Sequence, residues 1–220
     1  MVTRNENNGD LVLRFDGSRP LSAAAVEEIA ALCDRAEDQR EPGPVTIHVT
    51  GAPPDGWAKG LAVGLVSKWE RAVRRFERLG RLTAVVASGE CAGMALDLLL
   101  AADVRIAEPG TTLRLALAGG GTWPGMTVYR LTKQAGAAGI RRAVLLGTPI
   151  GTDRALALDL IDEVSADPAA TLSTVESAVD GAELAIRRQL IFEAGSTAFE
   201  EALGSHLAAA DRALRREAKS

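Results

Sequence analysis

Two periods of hydrophobic residues divide this chain into short strands and longer amphipathic helices. Short apolar or alternating runs predict strands at 11–15, 45–49, 83–88, 104–107, 112–116 and 161–165. Apolar residues three and four positions apart predict helices at 22–40, 65–79, 94–103, 126–136, 138–147, 152–159, 169–190 and 196–218. Strands and helices alternate without a repeat of fixed length. The pattern therefore predicts an α/β core that is closed by C-terminal helices.

A single acid interrupts the most apolar of these helices. The segment AGMALDLLLAAD, residues 92–103, carries Asp97 among alanines and leucines. A carboxylate in such a helix is costly unless it is paired, hydrogen-bonded or protonated. Burial also raises a carboxyl pKa towards the range that suits an acid or base. Two interpretations stay open, a proton-transferring group and a structural hydrogen bond to a neighbouring loop.

The composition is typical of a globular protein that acts in water. Of the 220 residues 47% are hydrophobic and 25% are charged, and the net charge is −4. Because no basic block exceeds an arginine pair, nucleic acid is not an expected partner. No apolar run reaches the roughly 18 residues of a membrane span, and the polar first ten residues do not resemble a secretory signal. We therefore expect a cytoplasmic protein without a membrane partner.

Few other residues are candidates for chemistry. Cys33 and Cys91 lie in unrelated contexts without metal-ligand spacing, so we expect two reduced core thiols and no metal site. His48 falls in a predicted strand and His206 in a late helix, and neither has the pattern of a ligand or a base. Glu90, in the turn before the apolar helix, is expected to be solvated.

Four stretches carry a resemblance to a known family. TAVVASGECAGMALDLLLAADVRIAE (83–108), with GTWPGMTVYRL (121–131) after it, is similar to the strand–turn–helix and the following loop of the enoyl-CoA hydratase/isomerase (crotonase) superfamily. VTIHVTGAPPDGWAKGLA (45–62) and LLGTPIGTDRALALDLIDEV (145–164) resemble segments upstream and downstream. The resemblance implies an α/β crotonase spiral of ββα units. Residues 1–165 would form the spiral core and residues 166–220 a C-terminal helical cap or trimerisation region of one structural domain.

The same resemblance implies an oxyanion hole. The family stabilises a thioester enolate with two backbone N–H groups, which fall on Lys59 and Met94 here. Met94 replaces a glycine of the family and would narrow the pocket. The other positions that match substrate-binding and CoA-binding positions are Trp57, Ala58, Gly60, Leu61, Gly93, Leu117 and Trp123. The alternative is that Lys59 and Met94 only fill loops.

The general acid/base pair is where the sequence departs from the family. Asp97 matches the first glutamate, but the second falls on Leu117 and no acid replaces it nearby. Because hydration uses two carboxylates to position one water and move its proton, we expect poor simple hydratase turnover. A single carboxylate can still serve isomerisation, dehydration or aromatisation of an activated CoA ester.

Another class of enzyme with the same spiral is excluded by one residue. CAGMAL (91–96) superficially resembles the nucleophile turn of Clp-type serine peptidases, but Gly93 stands at the serine position. A serine–histidine–aspartate mechanism therefore lacks its nucleophile. Asp103, at the end of the apolar helix, is interpreted as structural, as in the crotonase family.

Within the superfamily the chain resembles the short DpgB-type enoyl-CoA hydratases of bacterial 3,5-dihydroxyphenylglycine biosynthesis, a glycopeptide-antibiotic type of pathway. The resemblance implies a lyase that acts on a polyketide-derived CoA thioester beside a type III polyketide synthase and assists in forming 3,5-dihydroxyphenylacetyl-CoA. It implies a homotrimer or hexamer and no metal or redox cofactor, since coenzyme A enters with the substrate. The alternatives are a non-catalytic accessory that binds the acyl-CoA or the synthase, and an isomerase with a single carboxylate.

Overall fold

The structure, a computed structural model, describes residues 11–39, 43–176 and 181–218. Three predictions fall partly outside these residues: the polar segment 1–10, the end of the first helix at residue 40, and residues 177–180 of the helix predicted at 169–190. The strands of the described ranges are β1 (Val12–Asp16), β2 (Val45–Gly51), β3 (Thr83–Ala92), β4 (Val104–Ala107), β5 (Thr112–Arg114), β6 (Leu117–Ala118), β7 (Gly121–Thr122), β8 (Ile150–Gly151) and β9 (Glu163–Val164). Their helices are α1 (Ala23–Asp38), α2 (Val63–Glu77), α3 (Met94–Leu100), α4 (Met126–Leu146), α5 (Thr152–Ala157), α6 (Pro168–Glu176), α7 (Gly181–Ala194) and α8 (Phe199–Glu217).

Parallel pairing organises the central sheet. Its strands follow the order β1-β2-β3-β4-β9, and β5 and β8 lie off this path. Side chains of β3 alternate between two faces: Val85 and Ala87 join the main hydrophobic core, whereas Ala84 and Val86 pack with Leu172 of α6. A parallel sheet covered on both faces explains the continuous apolar run of this strand. The predicted α/β fold class is confirmed.

The two halves of β3 pair with different strands. Residues 84–87 pair with β4, whereas residues 90–92 pair with β5. Gly89, whose φ of +63° favours glycine, lies between these two halves. The register against β2 shifts between Thr50 and Gly51. The prediction that this strand ends at residue 88 is wrong, because pairing with β5 continues it to residue 92.

Helices α1, α2 and α3 lie on one face of the sheet. Ser22 caps α1 by accepting a hydrogen bond from the Ala25 N–H at 3.3 Å. Every residue of α3 is buried, Asp97 included. The rings of Phe15 and Trp69 stack between β1 and α2 with centroids 5.8 Å apart. The apolar helix therefore lies inside the core, as its sequence predicts.

Later elements follow the predictions in part. The predicted break between helices 126–136 and 138–147 is confirmed at Gly136, which has a φ of +70° inside α4. The strand predicted at 112–116 ends at residue 114, and the strand predicted at 161–165 is only Glu163–Val164. The hairpin β6–β7 and strand β8 were not predicted, because strands of two residues carry no measurable period.

Arg188 of α7 attaches the C-terminal helices to the core. Its guanidinium donates to Asp103 Oδ1 at 2.7 Å and to the Leu79 carbonyl at 2.6 Å. Asp103 also accepts hydrogen bonds from the N–H and the hydroxyl of Thr83 at 2.9 and 2.8 Å. The structural interpretation of Asp103 is confirmed by these contacts. The division at residue 165 stays a prediction.

The last helix, α8, exposes a stripe of large apolar side chains. Its members are Phe199, Leu203, Leu207 and Leu214. They recur at spacings of four and seven residues and so lie on one side of the helix. Across the described ranges no helix combines the length and the apolar character that a membrane span requires.

Candidate active site

A pocket opens where the N-terminus of α3 meets α2 and the start of α4. It encloses about 440 Å³, its open mouth included. Five of the predicted site residues line it: Trp57, Gly93, Met94, Asp97 and Trp123. The other lining residues are Arg19, Leu21, Pro53, Val66, Trp69, Glu70, Gly125 and Thr127. The walls are therefore mostly apolar and aromatic, and carboxylates from two helices face the interior.

Asp97 is held by three hydrogen bonds at the wall of this pocket. Trp69 Nε1 donates to Oδ2 at 3.0 Å, and Thr127 Oγ1 donates to Oδ1 at 2.6 Å. Arg130 Nη1 donates to the same Oδ1 at 3.3 Å. The buried carboxylate has the partners that its burial requires. Both interpretations of Asp97 therefore find support, since it is hydrogen-bonded and also lines the pocket.

Arg130 links Asp97 to a second carboxylate. Its other terminal nitrogen, Nη2, lies 2.8 Å from Glu70 Oε2. The Arg130 side chain is 8% exposed and the Glu70 side chain 20% exposed. The sequence expectation of a single carboxylate did not include Glu70, which lines the same pocket from α2. It is distant from Leu117 in sequence, so the match of motifs did not point to it.

Burial shifts the pKa values of both carboxyl groups in the same direction. Burial raises the pKa of Asp97, against the opposing effects of the Arg130 charge and the Thr127 and Trp69 hydrogen bonds. Burial also raises the pKa of Glu70, the negative charge of Asp97 adds to that rise, and Arg130 opposes it. Two ionised carboxylates and one guanidinium leave a net negative charge, whereas one added proton makes the cluster neutral. The site thus favours retention of a proton.

These shifts predict a pH dependence of stability. A carboxyl whose pKa is higher in the folded chain stabilises the fold fully below its unfolded pKa, and that contribution is lost as pH rises through the folded pKa. We expect the difference in free energy of unfolding between wild type and Glu70→Gln to shift against the wild type as pH rises above the ordinary glutamate pKa of about 4.3. Urea unfolding at several pH values measures it, with Glu37→Gln as the control for a surface carboxylate. A difference that grows in favour of the wild type would contradict the raised pKa.

The turn before α3 brings backbone to the pocket surface. Gly93 has φ +56° and ψ −124°, and a Cβ there would lie 3.1 Å from Pro53 Cγ. Glycine is therefore required by both conformation and close approach. Trp57 and Trp123 meet edge to face with centroids 5.1 Å apart. Trp57 Nε1 also donates to the Leu117 carbonyl at 2.9 Å, which fixes one side of the pocket.

Some predicted positions lie outside the pocket lining. The loop that carries Trp57 continues through Ala58, Lys59, Gly60 and Leu61, and these four residues do not line the pocket. The Lys59 N–H donates to the Gly56 carbonyl at 2.9 Å. An oxyanion role for Lys59 stays a prediction and requires this turn to open when substrate binds.

The position of the family's second acid is also outside the lining. The Leu117 side chain is exposed in the β6–β7 hairpin, while its carbonyl serves Trp57. The hairpin therefore supplies a backbone contact and no carboxylate to the pocket wall.

The other candidate residues of the sequence analysis do not line this pocket. Glu90 is exposed and pairs with Arg114 at 3.0 Å. Cys33 and Cys91 are buried free thiols, and burial raises the pKa of Cys33 to about 11. Burial lowers the pKa of His48, and His206 is exposed on α8. No group of three or more histidine, cysteine or acidic side chains within the described residues could hold a metal ion.

Comparison with known proteins decides the family. No protein-family model matches the chain. An enoyl-CoA hydratase of Amycolatopsis orientalis is 77% identical over 216 residues, which cover 97% of this chain and 100% of that protein. The chain belongs to the enoyl-CoA hydratase family.

Solved structures agree on the fold of this family member. An enoyl-CoA hydratase/isomerase family protein from Silicibacter pomeroyi superposes with a TM-score of 0.77 at 17% identity, covering 93% of this chain and 95% of that one. An enoyl-CoA hydratase from Thermoplasma volcanium superposes with a TM-score of 0.74 at 18% identity, covering 92% of this chain and 88% of that one. At these identities the likeness establishes the crotonase fold.

The sequence analysis did not identify four residues that surround Asp97. They are Trp69, Glu70, Thr127 and Arg130. Thr127 and Arg130 stand three apart in GTWPGMTVYRL, so both face one side of α4. This spacing places two polar residues on one side of a predicted helix. It was the sequence signal that could have identified Thr127 and Arg130 as site residues. No sequence signal distinguishes Glu70 from Glu77, the other acid of α2.

Proposed function

We propose that this chain is a lyase of the hydratase/dehydratase type that acts on a polyketide-derived CoA thioester. It would assist a type III polyketide synthase in forming 3,5-dihydroxyphenylacetyl-CoA. The observation that carries the proposal is the buried carboxylate Asp97 in an apolar, aromatic-walled pocket at the Gly93–Met94 turn. The family relation of the chain and the printed activity of its relative, an enoyl-CoA hydratase, support the thioester class of substrate.

The proposed chemistry is a proton transfer beside the thioester carbonyl. The Met94 N–H would donate to the thioester oxygen, and the Lys59 N–H would join it after releasing Gly56. Asp97 would take or give the proton, and the raised pKa of its carboxyl keeps both protonation states accessible. Trp57 and Trp123 would hold the acyl group and exclude water. Coenzyme A enters only as part of the substrate.

A second candidate is a non-catalytic accessory that binds the acyl-CoA or the synthase. One observation favours it: Asp97 already accepts three hydrogen bonds, which is the pattern of a structural carboxylate. An isomerase that shuttles a proton with Asp97 is a third candidate, and it uses the same pocket. The exposed apolar stripe of α8 supports assembly into a trimer or hexamer of this chain.

Product analysis with the synthase separates catalysis from accessory binding. We expect the synthase with wild-type protein to release more 3,5-dihydroxyphenylacetyl-CoA than the synthase alone, because dehydration would no longer limit aromatisation. Liquid chromatography with mass detection measures the product. The Asp97→Asn variant should lose the gain while still binding the thioester. An unchanged gain with that variant would reject catalysis by Asp97 and favour the accessory role.

A further inference from the structure

The pocket contains an acid that neither the motif match nor the family relation assigns. Glu70 lies on α2, whereas Asp97 lies on α3, and both side chains line the same cavity. The position where the family carries its second acid holds Leu117, an exposed residue of a hairpin. Any second carboxylate for the chemistry must therefore come from another element.

Arg130 organises these two carboxylates as one unit. Its Nη1 lies 3.3 Å from Asp97 Oδ1, and its Nη2 lies 2.8 Å from Glu70 Oε2. The Asp97 and Arg130 side chains are 9% and 8% exposed. A guanidinium that binds two acids with different nitrogens fixes both carboxylates in orientation.

The two acids differ in what they have left to offer a substrate. Asp97 accepts hydrogen bonds from Thr127 and Arg130 at Oδ1 and from Trp69 at Oδ2. Among the described residues, the hydrogen bond of Glu70 is the one from Arg130 to Oε2, and 20% of the Glu70 side chain is exposed. Of the two carboxylates that line the cavity, Glu70 is therefore the less engaged in hydrogen bonds.

We propose that Glu70 is the second proton-transferring residue of this pocket and acts with Asp97 as a carboxylate pair bridged by Arg130. The proposal rests on the proposed function, because it assigns a partner to Asp97 for the same CoA thioester chemistry. It replaces the single-carboxylate site expected from Leu117.

The two carboxyl groups, sharing one proton, can supply both proton transfers that dehydration of a 3-hydroxyacyl thioester requires. The ionised Asp97 takes the proton from the carbon next to the thioester, and the released electron pair forms the double bond to the next carbon. The bond from that carbon to its hydroxyl oxygen breaks, and the neutral Glu70 gives its proton to the leaving oxygen, so water is released. The pair still holds one proton afterwards, and Arg130 balances the remaining charge throughout.

Charges around the pair favour this single-proton state. Arg130 is the cation in contact with both acids, and Glu77, one of the anions that act on Glu70, is paired with Arg74. Arg19 also lines the pocket, but its guanidinium is paired with Glu28 at 2.8 Å. Burial of two acids beside one such cation raises the pKa of Glu70 and of Asp97.

The test compares Glu70→Gln with wild type on 3-hydroxybutyryl-CoA dehydration and crotonyl-CoA hydration. We expect kcat to fall about 10²-fold or more with little change in KM, because the variant keeps the shape but moves no proton. The pH profile of kcat should lose one of its two limbs. Glu70→Asp should recover part of the activity.

The control is Glu37→Gln, which removes a carboxylate that pairs with Arg75 of α2 away from the pocket. It should retain wild-type kcat. If wild type and Glu37→Gln turn over these thioesters and Glu70→Gln matches them within about twofold, the role of Glu70 is rejected and the proposed function stands. If wild type converts neither thioester and the synthase product is also unchanged, the proposed function fails and the role of Glu70 fails with it.

Discussion

Asp97→Asn is expected to lower kcat for a CoA thioester by about 10²–10⁴-fold, with KM nearly unchanged. The asparagine has the same shape but cannot ionise, so it removes the proton transfer and leaves the pocket walls in place. Steady-state kinetics with 3-hydroxybutyryl-CoA, together with binding of butyryl-CoA by calorimetry, measures both quantities.

Asp97→Asn also lowers stability, so its effect on folding must be separated from its effect on kcat. Trp69 and Arg130 can only donate hydrogen bonds to this side chain from their nitrogens, so an amide nitrogen would face a donor on one side. We expect a cost of about 1–3 kcal/mol in the free energy of unfolding. Kinetics are therefore measured at a temperature where circular dichroism shows the variant to be folded.

Asp103→Asn provides the matched control. Asp103 is a hydrogen-bonded aspartate between α3 and β4, but it does not line the pocket. Its variant should be destabilised and yet retain kcat while folded. Equal loss of kcat in both variants would show that Asp97 acts through structure and not through proton transfer.

Arg188→Ala is expected to give the largest loss of stability, about 3–5 kcal/mol in the free energy of unfolding. The substitution removes the two hydrogen bonds that Arg188 donates to Asp103 and leaves the Leu79 and Arg81 carbonyls without the guanidinium. The Arg188 side chain is only 8% exposed, so water cannot fully replace these contacts. α7 would lose its main polar contact with the core.

Urea unfolding at fixed protein concentration measures this loss as a lower midpoint. Arg187→Ala is the control, because Arg187 is the adjacent residue of α7 and is exposed. A midpoint for Arg188→Ala that equals that of Arg187→Ala would show that the C-terminal helices do not depend on this contact.

Sequence reasoning was strongest where a local pattern had one structural solution. The buried helix α3, the serine cap of α1 and the glycine break in α4 all follow from periodicity and from the conformations of serine and glycine. The family match also placed Gly93, Met94 and Asp97 at one pocket.

Prediction failed where contacts join residues far apart in the chain. The extension of β3 to Ala92 depends on pairing with β5, and Glu70 reaches Asp97 only through the packing of α2 against α3 and α4. A helix pattern shows which face is buried, but it does not show which pocket an acid at the edge of that face reaches. The prediction of a single carboxylate came from matching positions along the family's motifs. Such a match cannot detect that an acid missing at Leu117 is replaced by an acid from another helix.

The most direct test is a crystal structure with bound butyryl-CoA, a saturated thioester that can be neither hydrated nor dehydrated. Proton transfer by the carboxylates predicts that carbons 2 and 3 of the acyl group lie within about 3–4 Å of oxygens of Asp97 and Glu70. The thioester oxygen should accept a hydrogen bond from the Met94 N–H. An acyl group bound outside the pocket, with Asp97 still enclosed by Trp69, Thr127 and Arg130, would contradict the account.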